Sequence, residues 1–289
     1  MAFDPFLYVA FAVGLIAGRL TSARPGWVPR ATLGTVIVLV GLLGASLAGV
    51  PWPTLLGTIP VSLAFAAVIL ALTALVYLGL ARWRPLPVSP AATTPPDPRF
   101  PLSLLLLAAL LLGLGVGHAV AVPADAAIPW VLYVLLALVG FDIPLRLSAL
   151  RGVWAPLVAA SLGAVGAAAL FVVIFRLAPP IALATSLAFG FYSLAGPLVV
   201  ARAGAALGLL AFLTNFLRED LTMLLSPVLG RRLRGAGLAA LGGATSMDTT
   251  LYFVTRYGDP EAGSLALATG LVLTVAASLV LPALLALPL

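Results

Sequence analysis

The chain has 289 residues, of which 63% are apolar and only 8% charged, whereas a soluble domain is about half apolar and about a quarter charged. A single globular core does not bury that much hydrocarbon, so the composition excludes a soluble protein and points to an integral membrane protein surrounded by lipid. The formal charge of +6 would suggest nucleic acid in a soluble chain, but here the arginines sit in short gaps between apolar runs, where they set membrane orientation, and nucleic-acid binding is set aside.

Met1 to Asp4 lacks the positive stretch of a signal peptide, so Pro5 onward reads as a first membrane helix. Apolar runs ended by Arg, Pro or Gly clusters then fall at about 5–19, 31–49, 56–81, 101–122, 127–145 and 153–175, enough for six crossings. After Arg176 the pattern changes. Residues 179–202 are apolar but interrupted by Gly190, Gly196 and Pro197, and the run at about 205–229 carries Arg218, Glu219 and Asp220. A second interrupted segment, about 237–257, holds Gly242, Gly243 and Asp248, and a plain apolar run at about 264–287 closes the chain.

Taking the interrupted segments as re-entrant leaves eight crossings. With the N-terminus outside, eleven arginines (19, 24, 30, 82, 84, 99, 146, 151, 231, 232 and 234) face the cytoplasm and Arg176 lies in an outer loop. That asymmetry predicts that both termini lie outside the cytoplasm. The expected organisation is a three-helix repeat over 1–84, a Pro-rich cytoplasmic linker over 85–100 and a second, inverted three-helix repeat over 101–176. A transport core over 177–289 would follow, with two inverted hairpins at about 179–202 and 237–257. Short internal similarities support inversion. Leu43-Gly44-Ala45-Ser46-Leu47 matches Val139-Gly140-Phe141-Asp142-Ile143, and Gly190-Phe191-Tyr192-Ser193 matches Gly243-Ala244-Thr245-Ser246. Inverted repeats whose broken segments meet at the midplane are the plan of many secondary transporters, because unwound backbone survives there only against protein or a wet cavity; channels and some membrane enzymes share the feature.

An ionised carboxylate in the bilayer costs about 2.5–3.5 kcal/mol on insertion scales, so each buried acid needs a reason. Asn215, Glu219, Thr222 and Ser226 fall at i, i+4, i+7 and i+11, one face of a helix. Such a stripe is either a hydrogen-bonding seam or a cavity wall, and an acid within it favours the cavity. Asp248 lies in Gly242-Gly243-Ala244-Thr245-Ser246-Met247-Asp248-Thr249-Thr250, where glycine permits irregular backbone and hydroxyls bind an acid or a ligand; capping of a short helix is the competing role. Arg218 is one residue from Glu219 and about 100° away from it on the helix, so its partner is expected on another segment. Arg202 and Arg256 read as anchors of hairpin ends, and His118, the sole histidine, as an interfacial side chain. With one His and no Cys, no zinc set is available, and Gly190 to Gly196 is not a nucleophile elbow. No Walker or Rossmann glycine pattern is present, so no cofactor is expected and an enzyme is disfavoured.

Phe189-Gly190-Phe191-Tyr192-Ser193-Leu194-Ala195-Gly196, Asn215-Phe216-Leu217-Arg218-Glu219 and Gly243-Ala244-Thr245-Ser246-Met247-Asp248, in this order, resemble the signature of the lysine exporter family, most specifically over about residues 185–258. Val139-Gly140-Phe141-Asp142 looks similar to a looser family pattern, and Asp142 joins the candidates on that basis. The resemblance implies an all-α inner-membrane protein with eight crossings that exports L-lysine in exchange for protons, with Glu219 and Asp248 as the intramembrane pair. The residues agree in kind. Lysine carries one carboxylate and two ammonium groups, which call for acids together with backbone N–H groups, and a carboxyl group in a low-dielectric cavity takes up a proton readily when substrate is absent. Asn215, Tyr192, Ser193, Thr245 and Ser246 would orient the ligand by hydrogen bonds. A passive channel and an exporter of another cationic solute stand as alternatives, and a homo-oligomer is compatible with the sequence.

Overall fold

The computed structural model describes residues 5–21, 26–46, 48, 51–83, 102–142, 152–259 and 262–288. The described residues are mostly helical, with no strand among them. The apolar runs become α1 (Pro5–Leu20), α2 (Val28–Ser46), α3 (Trp52–Trp83), α4 (Leu102–Ala119), α5 (Ala124–Asp142) and α6 (Trp154–Phe175), each boundary within a few residues of the hydropathy edge. Beyond Arg176 come α7 (Pro179–Ser186), α8 (Tyr192–Ala203) and α9 (Ala205–Gly242), then a 3-10 turn over Gly243–Met247, α10 (Leu251–Phe253), a π-turn over Val254–Gly258 and α11 (Ala262–Leu285). Among the described residues three stretches are long and apolar enough to cross a membrane, Leu56–Arg82, Trp154–Phe175 and Ala262–Leu285. The Pro-rich linker at 85–100 lies outside the described residues.

The chain divides into two compact units, one formed by residues 4–55 and 93–144 and the other by 1–3, 56–92 and 145–289. In the first, α1 packs on α5, and α2 packs on α4 and α5. A spacing of two glycines separated by three residues explains the approach. Any Cβ at Gly14 or Gly18 of α1 would collide with the backbone of Ala137 or Phe141 on α5, and any Cβ at Gly113 or Gly117 of α4 with Gly41 or Ala45 of α2. Small residues at four-residue spacing let membrane helices meet backbone to backbone, where dispersion rather than dehydration drives association.

The second unit holds both interrupted segments. Its α6 lines a core of Ala155, Ala159, Ala160, Ala164, Ala167 and Ala168, all buried, and Phe171 stacks on Phe65 of α3 at 3.8 Å between ring centroids. Gly163 faces Thr73 so closely that a Cβ would lie 2.5–2.7 Å from its hydroxyl and backbone. Much of the exterior is apolar, with Val173 76%, Val228 70% and Leu279 70% exposed, while the polar side chains of α9 from Thr214 to Ser226 are buried. This inversion of the soluble pattern is what a lipid solvent selects, because water is no longer outside to hold polar groups there.

α9 is two helices joined at Arg234, whose backbone is left-handed (φ 53°, ψ −168°). The break re-aims the chain so that 235–242 starts the second interrupted segment. It is steadied by Asp259, whose Oδ2 accepts the Gly235 N–H at 3.2 Å. Gly163→Ala is expected to destabilise the fold by about 1–3 kcal/mol through overpacking against Thr73. Gly34→Ala, with open space around it, should stabilise by up to about 1 kcal/mol through helix propensity. Thermal unfolding of the purified protein in detergent measures both, and equal shifts would contradict the α3–α6 contact.

Candidate functional site

The site is built where the two interrupted segments touch. Between α7 and α8 the chain turns through Phe189 (φ 55°) and Gly190 (φ 94°), and at the end of α9 it turns through Gly243 (φ 66°). Glycine is needed at Gly190 and Gly243 because left-handed backbone is costly with a Cβ, and a Cβ on Gly243 would also lie 2.5 Å from the Phe189 carbonyl. The turns join directly: the Ala244 N–H donates to Phe189 O at 2.8 Å.

Asn215 holds the first turn from α9. Its Oδ1 accepts the Gly190 N–H at 2.9 Å, and its amide group donates to Thr185 O on α7 and to Ala211 O, both at 2.9 Å. The first two satisfy backbone groups that the break would otherwise leave bare in an apolar interior, and the third is a bond within α9. Both Asn215 N–H groups are thereby committed, so the expected ligand-orienting residue is a backbone clamp in this conformation. Ser246 does the parallel work at the second turn. Its hydroxyl lies 2.7 Å from Gly243 O and 2.8 Å from Ala266 O of α11, and the Thr245 hydroxyl donates to Gly242 O at 3.1 Å. Tyr192 sits edge-on to Phe212 and Phe216, 5.4 and 5.7 Å between centroids. The side chain of Ser193 lies outside the described residues, as does that of Asp142, the last residue of α5 in the other unit.

The acids come next. Glu219 is 1% exposed, and its Oε1 has no hydrogen-bond partner. Asp248, partly buried, follows the 3-10 turn, and its Oδ1 accepts the Thr249 N–H at 2.6 Å and the Thr249 hydroxyl at 3.2 Å. Thr249 also interacts with Glu219, and Asp248 acts electrostatically on Glu219. Two carboxyl groups from different segments therefore share one locality, with a hydroxyl beside both. Thr249 was not among the sequence candidates; its position in the Thr-rich stretch next to Asp248 was the available signal. Asp248 closes the 3-10 turn as its C-cap residue, while Thr250 occupies the N-cap of α10.

The α9 stripe divides by function. Thr222 and Ser226 bond back to their own helix, to Arg218 O and Thr222 O, so they shed polarity locally, while Asn215 bridges segments. Arg218 is fully buried and, as the spacing predicts, finds its partners on another segment, but these are carbonyls: Nε donates to Leu241 O at 3.2 Å and one Nη to Ala240 O at 3.4 Å. Arg202 donates to Leu285 O at 2.8 Å and to Leu287 O at 3.1 Å, so it anchors α8 to the C-terminal end of α11. Arg256 is exposed.

The family model for the lysine exporter LysO matches residues 107–285, more than half of the chain. The chain belongs to this family. That membership, with the apolar helices, makes it a multi-pass membrane protein. A curated relative, "Lysine exporter LysO" of Escherichia coli (strain K12), is 39% identical over 94 residues, which are 32% of this chain and 31% of the relative. The chain thus matches about a third of that relative's length. No solved structure matches it.

Asn215→Ala is expected to cost about 2–4 kcal/mol, because it strands the Gly190 N–H and the Thr185 carbonyl in a buried site. Arg202→Ala, whose partners lie at a partly exposed helix end, should cost about 1 kcal/mol or less. Urea or thermal unfolding in detergent checks the ranking, and a smaller loss for Asn215→Ala would contradict the clamp.

Proposed function

We propose that the chain is a secondary transporter that exports L-lysine, or a closely similar cationic amino acid, from the cytoplasm across the bacterial inner membrane in exchange for protons. The observation that carries this reading is the meeting of Glu219 and Asp248 beside Thr249, one acid buried on a membrane helix and the other at the break of an interrupted segment. Family membership and the name of the curated relative support lysine as the cargo.

The chemistry follows from electrostatics. Two carboxylates in a poorly hydrated site repel each other, and either an ammonium group or protons relieve that repulsion. Cation and proton then compete for one pair of acids, and such competition couples their fluxes where the pair changes sides only when neutralised by one or the other. Tyr192, Ser193, Thr245 and Ser246 are assigned to the hydrogen-bonding surroundings of the ligand, with Asn215 holding the break open. Asp142 remains a candidate on the family pattern. In this reading eight helices cross, residues 179–202 and 237–257 form two re-entrant hairpins of inverted direction, and both termini lie outside the cytoplasm. The 85–100 segment then links two inverted three-helix repeats.

Counterflow of radiolabelled lysine in proteoliposomes with an imposed pH gradient tests this. Glu219→Gln and Asp248→Asn are each expected to lower gradient-driven exchange by at least about 100-fold, in line with the loss of a charge partner worth about 3 kcal/mol or more. Exchange that persists in correctly folded double variants overturns the role of the pair. Lysine movement indifferent to the gradient would favour a passive channel. Thr249→Val should slow exchange by about tenfold while Thr249→Ser retains it, since only the hydroxyl is at issue; equal rates in both variants would remove Thr249 from the site.

A further inference from the structure

Arg218 is the one large charged side chain at the crossing of the interrupted segments that the acid pair leaves unexplained. It is fully buried, the largest such side chain among the described residues. Its guanidinium lies 6.0 Å from the centroid of the Phe189 ring and against Gly243, where a Cβ would come within 2.9 Å of Nη2. Of its five N–H groups, one on Nε and one on Nη2 reach the carbonyls of Leu241 and Ala240, and Nη1 has no partner. The remaining donors are therefore both on Nη1 and one on Nη2, and they form the end-on edge of the fork. That edge presents two parallel N–H groups, the arrangement that binds a carboxylate in bidentate fashion.

Carbonyl dipoles do not neutralise a guanidinium, and a buried charge without a counter-ion is strongly unfavourable. No carboxylate of the described residues hydrogen-bonds Arg218. Its neighbours in sequence, Glu219 and Asp220, leave the helix in other directions, and each keeps a buried oxygen without a hydrogen-bond partner. Arg218 and Glu219 nonetheless address the same element. Arg218 reaches the start of the second turn at Ala240 and Leu241, and Glu219 reaches its far side at Thr249. A guanidinium and a carboxyl group thus address one interrupted segment.

We infer that Arg218 is the carboxylate-binding residue of the substrate site: its unpartnered Nη edge takes the α-carboxylate of an amino acid whose ammonium group is held by Glu219 and Asp248. This deepens the transport reading and rests on it. It also defines the substrate class, since a site with both poles selects an amino acid over a simple polyamine. Because the guanidinium is enclosed in this conformation, loading requires the Phe189–Gly190 and Gly243–Ala244 turns to part, and the Ala244 N–H to Phe189 O bond is what opens.

The test uses the full chain in proteoliposomes and compares lysine with cadaverine and lysinamide, which keep both ammonium groups but lack the carboxylate. Wild type is expected to prefer lysine to either analogue by about 100-fold or more, as sites with a dedicated polar partner do. In Arg218→Gln the lysine-to-cadaverine ratio is expected to collapse toward one, and Arg218→Lys, which keeps the charge but not the fork, should give an intermediate ratio. A ratio unchanged in Arg218→Gln, with both fluxes lowered in parallel, overturns the assignment. If the variants do not fold, the wild-type panel decides: equal transport of lysine and both analogues overturns the carboxylate site while leaving cation exchange standing. Transport of none of the three overturns the transport reading and this assignment with it.

Discussion

The structure depends on satisfying backbone hydrogen bonds where helices are broken inside an apolar solvent. In water a broken helix loses little, since its bare N–H and C=O groups hydrate; in hydrocarbon each bare group costs several kcal/mol. The chain answers with protein groups. Asn215 takes the Gly190 N–H and gives its own N–H groups to two carbonyls, Ala244 bonds Phe189 across the two turns, and Ser246 ties the second turn to α11. These bonds make the two interrupted segments mutually dependent.

A site formed this way has an electrostatic character that an intact helix does not offer. Breaking α7–α8 and the end of α9 removes side-chain bulk at Gly190 and Gly243 and brings polar backbone close to α9. Along α9 the inward face then carries Asn215, Arg218, Glu219, Thr222 and Ser226, while Val228 faces outward. Charges so placed are weakly screened, so they respond strongly to whatever ion or proton joins them. The same low dielectric that makes Glu219 expensive to ionise alone makes it sensitive to a cation.

Rigidity elsewhere supports this arrangement. Alanines of α6 and the stacked Phe65 and Phe171 form a dense wall beside α3, and in the other unit glycines at four-residue spacing draw α1 to α5 and α4 to α2. In lipid, helices gain nothing by hiding hydrocarbon from water, so close fit is the available source of cohesion. The break in α9 at Arg234 is the contrasting feature, a left-handed residue that re-aims the chain so that 235–242 leads into the second interrupted segment.

Much of this was legible in the chain alone. Hydropathy placed α1 to α6 and α11 to within a few residues, because a run of apolar side chains in lipid has no competing conformation that satisfies its backbone. The interruptions were marked by glycine and proline, and Glu219 and Asp248 stood out because acids are rare among apolar residues. The helix that Gly14 or Gly113 would meet emerged only with the fold. Tertiary structure alone decided the partners. Helical periodicity put Asn215 on the face of Glu219, yet only the fold shows it spent on Gly190 and Thr185; spacing sent Arg218 to another segment, yet only the fold shows carbonyls rather than an acid waiting there; and nothing local ranked Thr249 above Thr245. The physical reason is range: solvent preference and helix periodicity act residue by residue along the chain, whereas hydrogen bonds and charges are settled between segments that are distant in sequence and adjacent only after folding.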